Sequence, residues 1–199
     1  MEFLVTMTTQ VPDGVTEAEV AAVRAREAAN TAVLAERRRV LRLWRPPLAP
    51  GEWRTLGLFA AADAADLATV LASMPLRIWR TDEVTELSPH ANDPGPGQVA
   101  PEPGAAEYLT TFAVAVPPGI GAATVDARTA AEARRTRELA AEGSLVRLWR
   151  LPGEGRNLGL WQASDAGHLQ KLLDSLPMAA WLSSETVPLS RHPSDPQSA

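Results

Sequence analysis

An internal repeat limits the folds that this chain can adopt. The segment LRLWR, which ends at Arg45, returns as VRLWR, which ends at Arg150. With Pro12 aligned to Pro117, an offset of 105, the two copies run without a gap as far as these arginines. Three extra residues in the first copy then reduce the offset to 102. So long an alignment with one insertion indicates two copies of one small domain.

The repeat and the intervening composition predict four segments in the 199-residue chain. The stretch between the copies is rich in Pro and Gly, which is typical of a linker. We therefore expect repeat 1 at 1–90, a linker at 91–106, repeat 2 at 107–192 and a C-terminal tail at 193–199.

Each repeat shows the pattern βαββαβ. The first strand alternates apolar and polar residues, and a helix follows the capping box formed by Thr16 and Glu19. Asp63 and Asp165 are expected to open the second helices, and Gly57 and Gly159 to mark a bulge or a close approach. The order predicts an α+β protein of two ferredoxin-like repeats. Helices cover one face of each sheet, so we expect the other faces to meet in an intrachain dimeric α+β barrel.

Composition argues against several classes of partner. The formal net charge is -5, so no basic field is available for nucleic acid. We find no apolar run long enough to span a membrane and no signal peptide, and we expect a cytoplasmic protein. The chain has no cysteine, and its three histidines do not suggest a metal site. We therefore expect no metal site.

A carboxylate interrupts the apolar stripe of the first helix in each repeat. Glu27 lies between Val23 and Thr31 in helical spacing, and Glu132 has the same place in repeat 2. Burial would raise the pKa of such a group and suit it to exchanging protons near neutral pH. A structural ion pair with an arginine, such as Arg45 or Arg150, is the alternative, and spacing does not decide between them.

These residues resemble the muconolactone delta-isomerase family. The likeness lies in the opening MEFLVTMTTQVP, the helix RAREAA, the strand LRLWR, the SMPL turn and the terminal RHPS. It implies that Glu27 and Glu132 are the acid/base residues. It also implies that the substrate-binding residues are Trp44, Arg45, Trp149, Arg150 and Asn157. Thr55 stands where repeat 2 has Asn157, and Glu154 replaces a loop histidine of the family.

The resemblance implies a function and leaves alternatives open. We expect a cofactor-independent isomerase that moves a proton, and with it a C=C bond, within an unsaturated lactone or a related enolisable ring. The substrate would be a small lactone or aromatic-derived molecule, and the fused chains could assemble into a homo-oligomer built from pseudo-dimers. The alternatives are a cofactor-free oxygenase or cyclase of a biosynthetic pathway of the aromatic polyketide type, or a non-catalytic duplicate that binds a small ligand. A glutamate kept in both repeats favours chemistry.

Overall fold

The structure, a computed structural model, describes residues 1–198. Its residue contacts divide the chain into two compact units. Unit 1 contains residues Met1–Leu87 together with the segment that starts at Ser190, and unit 2 contains Ser88–Leu189. The last residues of the described chain therefore belong to the unit built mainly from the first repeat.

Unit 1 has the order βαββαβ. Its elements are β1 (Glu2–Thr9), α1 (Glu17–Glu36), β2 (Val40–Arg45), β3 (Arg54–Ala60), α2 (Ala64–Ser73), a 3-10 turn (Pro75–Trp79) and β4 (Arg80–Pro89). The strands pair antiparallel in the order β4-β1-β3-β2. Apolar side chains from β1, β2, β3 and both helices form its core.

Unit 2 repeats this arrangement. Its elements are β5 (Ala106–Val114), α3 (Ala122–Ala141), β6 (Leu145–Arg150), β7 (Arg156–Ala163), α4 (Ala166–Asp174), a 3-10 turn (Ala179–Trp181) and β8 (Leu182–Arg191). A further 3-10 turn (Pro196–Ser198) follows β8. The strands pair antiparallel in the order β8-β5-β7-β6. The predicted α+β class with two ferredoxin-like repeats is confirmed.

Local sequence signals explain where α1, α2 and α4 begin. Thr16 and Glu19 form the predicted capping box, with the Thr16 Oγ1 accepting from the Glu19 N–H at 3.3 Å. Asp63 and Asp165 cap α2 and α4, each accepting a backbone N–H three residues on at 2.8 Å. These caps satisfy N–H groups that a helix cannot bond internally.

Two strand glycines make room for aromatic rings. An added Cβ at Gly57 would overlap the ring of Phe59, and one at Gly159 would overlap the indole of Trp161. The prediction of a close approach at these glycines is confirmed. The irregular register lies instead in β2 and β6, between Val40 and Arg42 and at the matched place in unit 2.

Equivalent aspartates fasten the segments that follow β8 and β4. In unit 1, Asp195 accepts the Arg42 Nε–H at 3.2 Å and the Leu43 N–H at 2.9 Å. In unit 2, Asp93 accepts the Arg147 Nε–H at 3.1 Å and the Leu148 N–H at 2.8 Å. Both ion pairs are buried or nearly so. The stretch after His90 is therefore fixed to unit 2, and the stretch after His192 to unit 1.

No helix within residues 1–198 combines the length and the apolar composition needed to cross a membrane.

Candidate active sites

Unit 1 encloses a cavity of about 280 Å³ between α1 and the sheet. We call it cavity 1. Glu27 of α1, Leu43 and Arg45 of β2 and His192 of the C-terminal segment line it, with Trp53 in the loop before β3. Helix spacing places the carboxylate on the face of α1 that meets the sheet, which is why a charged group reaches this interior.

The Glu27 carboxylate is held by two neighbours. Its Oε2 accepts the Leu76 N–H at 2.8 Å, and its Oε1 accepts from Arg80 Nη1 at 3.2 Å. Arg80 also donates to Asp82 through Nε at 2.6 Å. Burial raises the pKa of Glu27, while the Leu76 hydrogen bond and the charge of Arg80 oppose the rise. The ion pair expected as an alternative is present, and its arginine is Arg80 rather than Arg45.

Unit 2 encloses a matching cavity of about 230 Å³, here called cavity 2. Glu132 and Asn157 line it. The Glu132 Oε2 accepts the Met178 N–H at 2.9 Å, the counterpart of the Leu76 bond. No Lys or Arg within residues 1–198 forms an ion pair with Glu132, since Leu182 occupies the position matched to Arg80. Burial raises its pKa, and only the Met178 bond lowers it.

A histidine enters each cavity with a defined ring tautomer. His90 lines cavity 2, and its Nδ1 accepts the Asn92 N–H at 3.1 Å. His192 lines cavity 1, and its Nδ1 accepts the Ser194 N–H at 3.1 Å. A nitrogen that accepts a backbone N–H carries no proton, so the ring proton lies on Nε2. Burial, with a nearby arginine charge, lowers the pKa of His90 and lowers that of His192 to about 4.

The remaining predicted site residues divide between the cavities and their surroundings. Because Leu43 and Arg45 line cavity 1, strand alternation places Trp44 on the other face of β2. There the Arg42 guanidinium lies 4.8 Å from its ring centroid. Trp149 has the equivalent place in unit 2, with Arg147 at 4.7 Å. The two tryptophans, which the resemblance implies are substrate-binding residues, thus lie outside the two cavities.

Arg150 also lies outside cavity 2, although its strand position matches Arg45. Its Nε–H donates to the Pro89 carbonyl oxygen at 3.2 Å, and its side chain is exposed. The charge of Arg150 still contributes to lowering the pKa of His90, which lines the cavity.

A family model describes nearly all of this chain. The model for muconolactone delta-isomerase matches residues 1–93 and again residues 106–195, one match for each repeat. The chain belongs to the muconolactone delta-isomerase family.

Individual relatives agree with the family match. The muconolactone delta-isomerase of Rhodococcus opacus is 29% identical over 82 residues, 41% of this chain and 88% of that protein. That of Cupriavidus pinatubonensis is 31% identical over 87 residues, 44% of this chain and 95% of that protein. One repeat thus accounts for almost a whole relative, and membership of the family supports an isomerase role.

Solved structures extend the likeness to the fold. A chlorite dismutase from Candidatus Nitrospira defluvii has a TM-score of 0.60 and 10% identity, covering 95% of this chain and 91% of that one. At this identity the likeness concerns the fold alone. It agrees with the fold class that the sequence predicts.

Several residues that were not predicted from the sequence also line the cavities. Arg80 begins β4, 53 residues from Glu27, and nothing local links the two. Arg24 and Trp53 line cavity 1, with the guanidinium 5.4 Å from the ring centroid. The sequence did contain a sign that His90 and His192 have equivalent places, because each is followed three residues later by an aspartate.

Proposed function

We propose that this protein is a cofactor-independent isomerase that moves a proton within an unsaturated lactone or a related enolisable ring. Glu27 and Glu132 act as the acid/base group of their cavities. Membership of the family supports the reaction class. The cavities, of about 280 and 230 Å³, have a size that suits one small ring.

The anchoring of the carboxylates is the observation that carries this proposal. A backbone N–H holds Oε2 of each glutamate, through Leu76 at 2.8 Å and Met178 at 2.9 Å. The Oε1 of Glu132 has no hydrogen bond to any residue in the described part of the chain. In Glu132 one oxygen is therefore fixed while the other can accept a proton, and burial raises the pKa of this carboxyl. In Glu27 the second oxygen also accepts from Arg80.

The proton shift balances without any other reactant. The carboxylate removes a proton from a ring carbon, and the electrons of that C–H bond pass into the conjugated system. A dienolate forms, with negative charge on the carbonyl oxygen. The protonated glutamate then returns the same proton to a carbon two positions away on the same ring face. One C–H bond breaks, one forms, and the double bond moves.

Neutral donors in cavity 2 suit the dienolate oxygen. Asn157 lines the cavity and has an amide N–H₂, and His90 has its ring proton on Nε2. Hydrogen bonds to a developing oxyanion stabilise the transition state more than the ground state. The apolar side chains around them, including Phe112 and Leu148, exclude water and strengthen these bonds.

Substitution of the two glutamates tests the proposal. Turnover of muconolactone and of other enolisable lactones would be followed by NMR for wild type, Glu27→Gln, Glu132→Gln and the double variant. The double variant should lose roughly 10²- to 10⁴-fold in turnover, the usual contribution of a positioned acid/base group. Glu138→Gln, an exposed position on α3, is the matched control. Wild-type turnover by a folded double variant would contradict the proposal.

A further inference from the structure

Cavity 1 is lined by three arginines and one carboxylate. Arg80 is engaged by Glu27 and Asp82. Arg24 lies over the ring of Trp53 and makes no ion pair within residues 1–198. Arg45 likewise has no carboxylate partner in that range, and its charge contributes to lowering the pKa of His192. Two guanidinium groups are therefore available at this cavity for an anion from outside the protein.

Cavity 2 lacks all three cations. At the positions matched to Arg24 and Arg80 it has Thr129 and Leu182. Arg150, matched to Arg45, is bonded to a backbone carbonyl and lies outside the cavity. Glu132 is the only Asp or Glu of the lining, and the lining has no Arg or Lys. An anionic ligand in cavity 2 would meet the negative charge of Glu132 with no arginine or lysine in the lining to bind it.

Cavity 2 also contains a neutral donor without a partner. Trp161 lines it and is only 2% exposed, yet its Nε1–H has no hydrogen-bond acceptor within residues 1–198. The matched residue in unit 1 is Phe59, which has no donor. Asn157 and His90 add two further neutral donors to the same lining.

We propose that the two cavities select their substrates by charge. Cavity 1 takes a ring that carries a carboxylate, which Arg24 and Arg45 receive. Cavity 2 takes an uncharged lactone or related enolisable ring, whose carbonyl oxygen accepts from the neutral donors Asn157 and His90. This inference rests on the proposed function for its substrate class, and it adds that one chain serves two different substrates of that class.

The indole N–H signals of the protein provide a direct test. The probes are 4-carboxymethyl-γ-butyrolactone and its methyl ester, an anionic and an uncharged lactone without the ring double bond. The full chain has six tryptophans, and Trp53→Phe and Trp161→Phe assign the signals of the two cavities. We expect the acid to shift the Trp53 signal and the ester to shift the Trp161 signal, because each tryptophan lines its cavity.

Substitution of the two arginines then tests whether their charge causes the selection. The double variant Arg24→Thr/Arg45→Gln should bind the acid roughly 10- to 100-fold more weakly, the range for lost charge-assisted contacts. It should leave ester binding unchanged. Arg26→Thr, an exposed arginine on the same helix that does not line cavity 1, is the matched control.

Three outcomes would overturn the inference. The acid could shift the Trp161 and Trp53 signals with equal affinity, the double arginine variant could retain wild-type affinity for the acid, or neither probe could bind. Binding of these saturated lactones requires no proton transfer. Charge selection without turnover of unsaturated substrates would therefore refute the proposed function alone, and turnover without selection would refute this inference alone.

Discussion

Replacing Asp195 by Asn should destabilise the protein strongly, because its carboxylate is the buried partner of Arg42. Arg42 donates through Nε at 3.2 Å and through Nη2 at 3.2 Å, and the side chains are only 6% and 0% exposed. The Leu43 N–H at 2.9 Å adds a third donor. Removing one partner of such a pair leaves a buried charge and costs about 3–5 kcal/mol.

Urea unfolding measures this loss. With a slope of about 2 kcal/mol per M, the midpoint should fall by about 2 M. Glu52→Gln is the matched control, since its ion pair with Arg54 is 42% and 38% exposed and should contribute less than about 1 kcal/mol. The double variant Arg42→Met/Asp195→Asn should recover most of the loss, because both charges are removed while the introduced amide oxygen can still accept the Leu43 N–H.

The Asp195→Asn substitution should also change cavity 1. Asp195 lies three residues after His192, so its loss should release the segment that brings His192 to cavity 1. Cavity 2 should remain intact, because Asp93 fastens its own segment through Arg147. A midpoint within about 0.3 M of wild type would show that the pair contributes little, and would refute the reasoning.

Two further predictions concern packing and pH. Gly159→Ala should cost about 1–3 kcal/mol in urea unfolding, because an added Cβ would overlap the indole of Trp161; wild-type stability would contradict this. His192→Gln should flatten the pH dependence of unfolding. The folded protein holds His192 neutral down to a pKa of about 4 whereas the unfolded chain takes up a proton near 6.5, so wild type loses stability as pH falls through that window. An unchanged slope between pH 7 and 4 would oppose this account.

The fold could be predicted because its signals are local and occur twice. Apolar and polar residues alternate in β1, as expected of a strand. The capping box at Thr16 and the aspartate caps of α2 and α4 satisfy backbone N–H groups three residues away. The position of Glu27 followed from helix spacing alone. Its anchoring by the Leu76 N–H did not, since 49 residues separate the two.

The rest of the site depends on partners distant in sequence. A strand pattern distinguishes two faces but does not say which one meets the helices, and this explains the placement of Trp44. The pairing of Arg80 with Glu27 and the return of His192 to unit 1 depend on tertiary packing. The repeated spacing of histidine and aspartate marked the segments that follow β4 and β8. It did not show which arginines the two aspartates bind.

The unlike residues at matched positions of the two cavities have an evolutionary consequence. In an enzyme made of two identical subunits, one gene encodes both sites, and every mutation alters both at once. Fusion of the copies removes that restriction. A leucine could arise at 182 while the arginine at 80 stayed, so one half could keep an ancestral preference while the other acquired a new one.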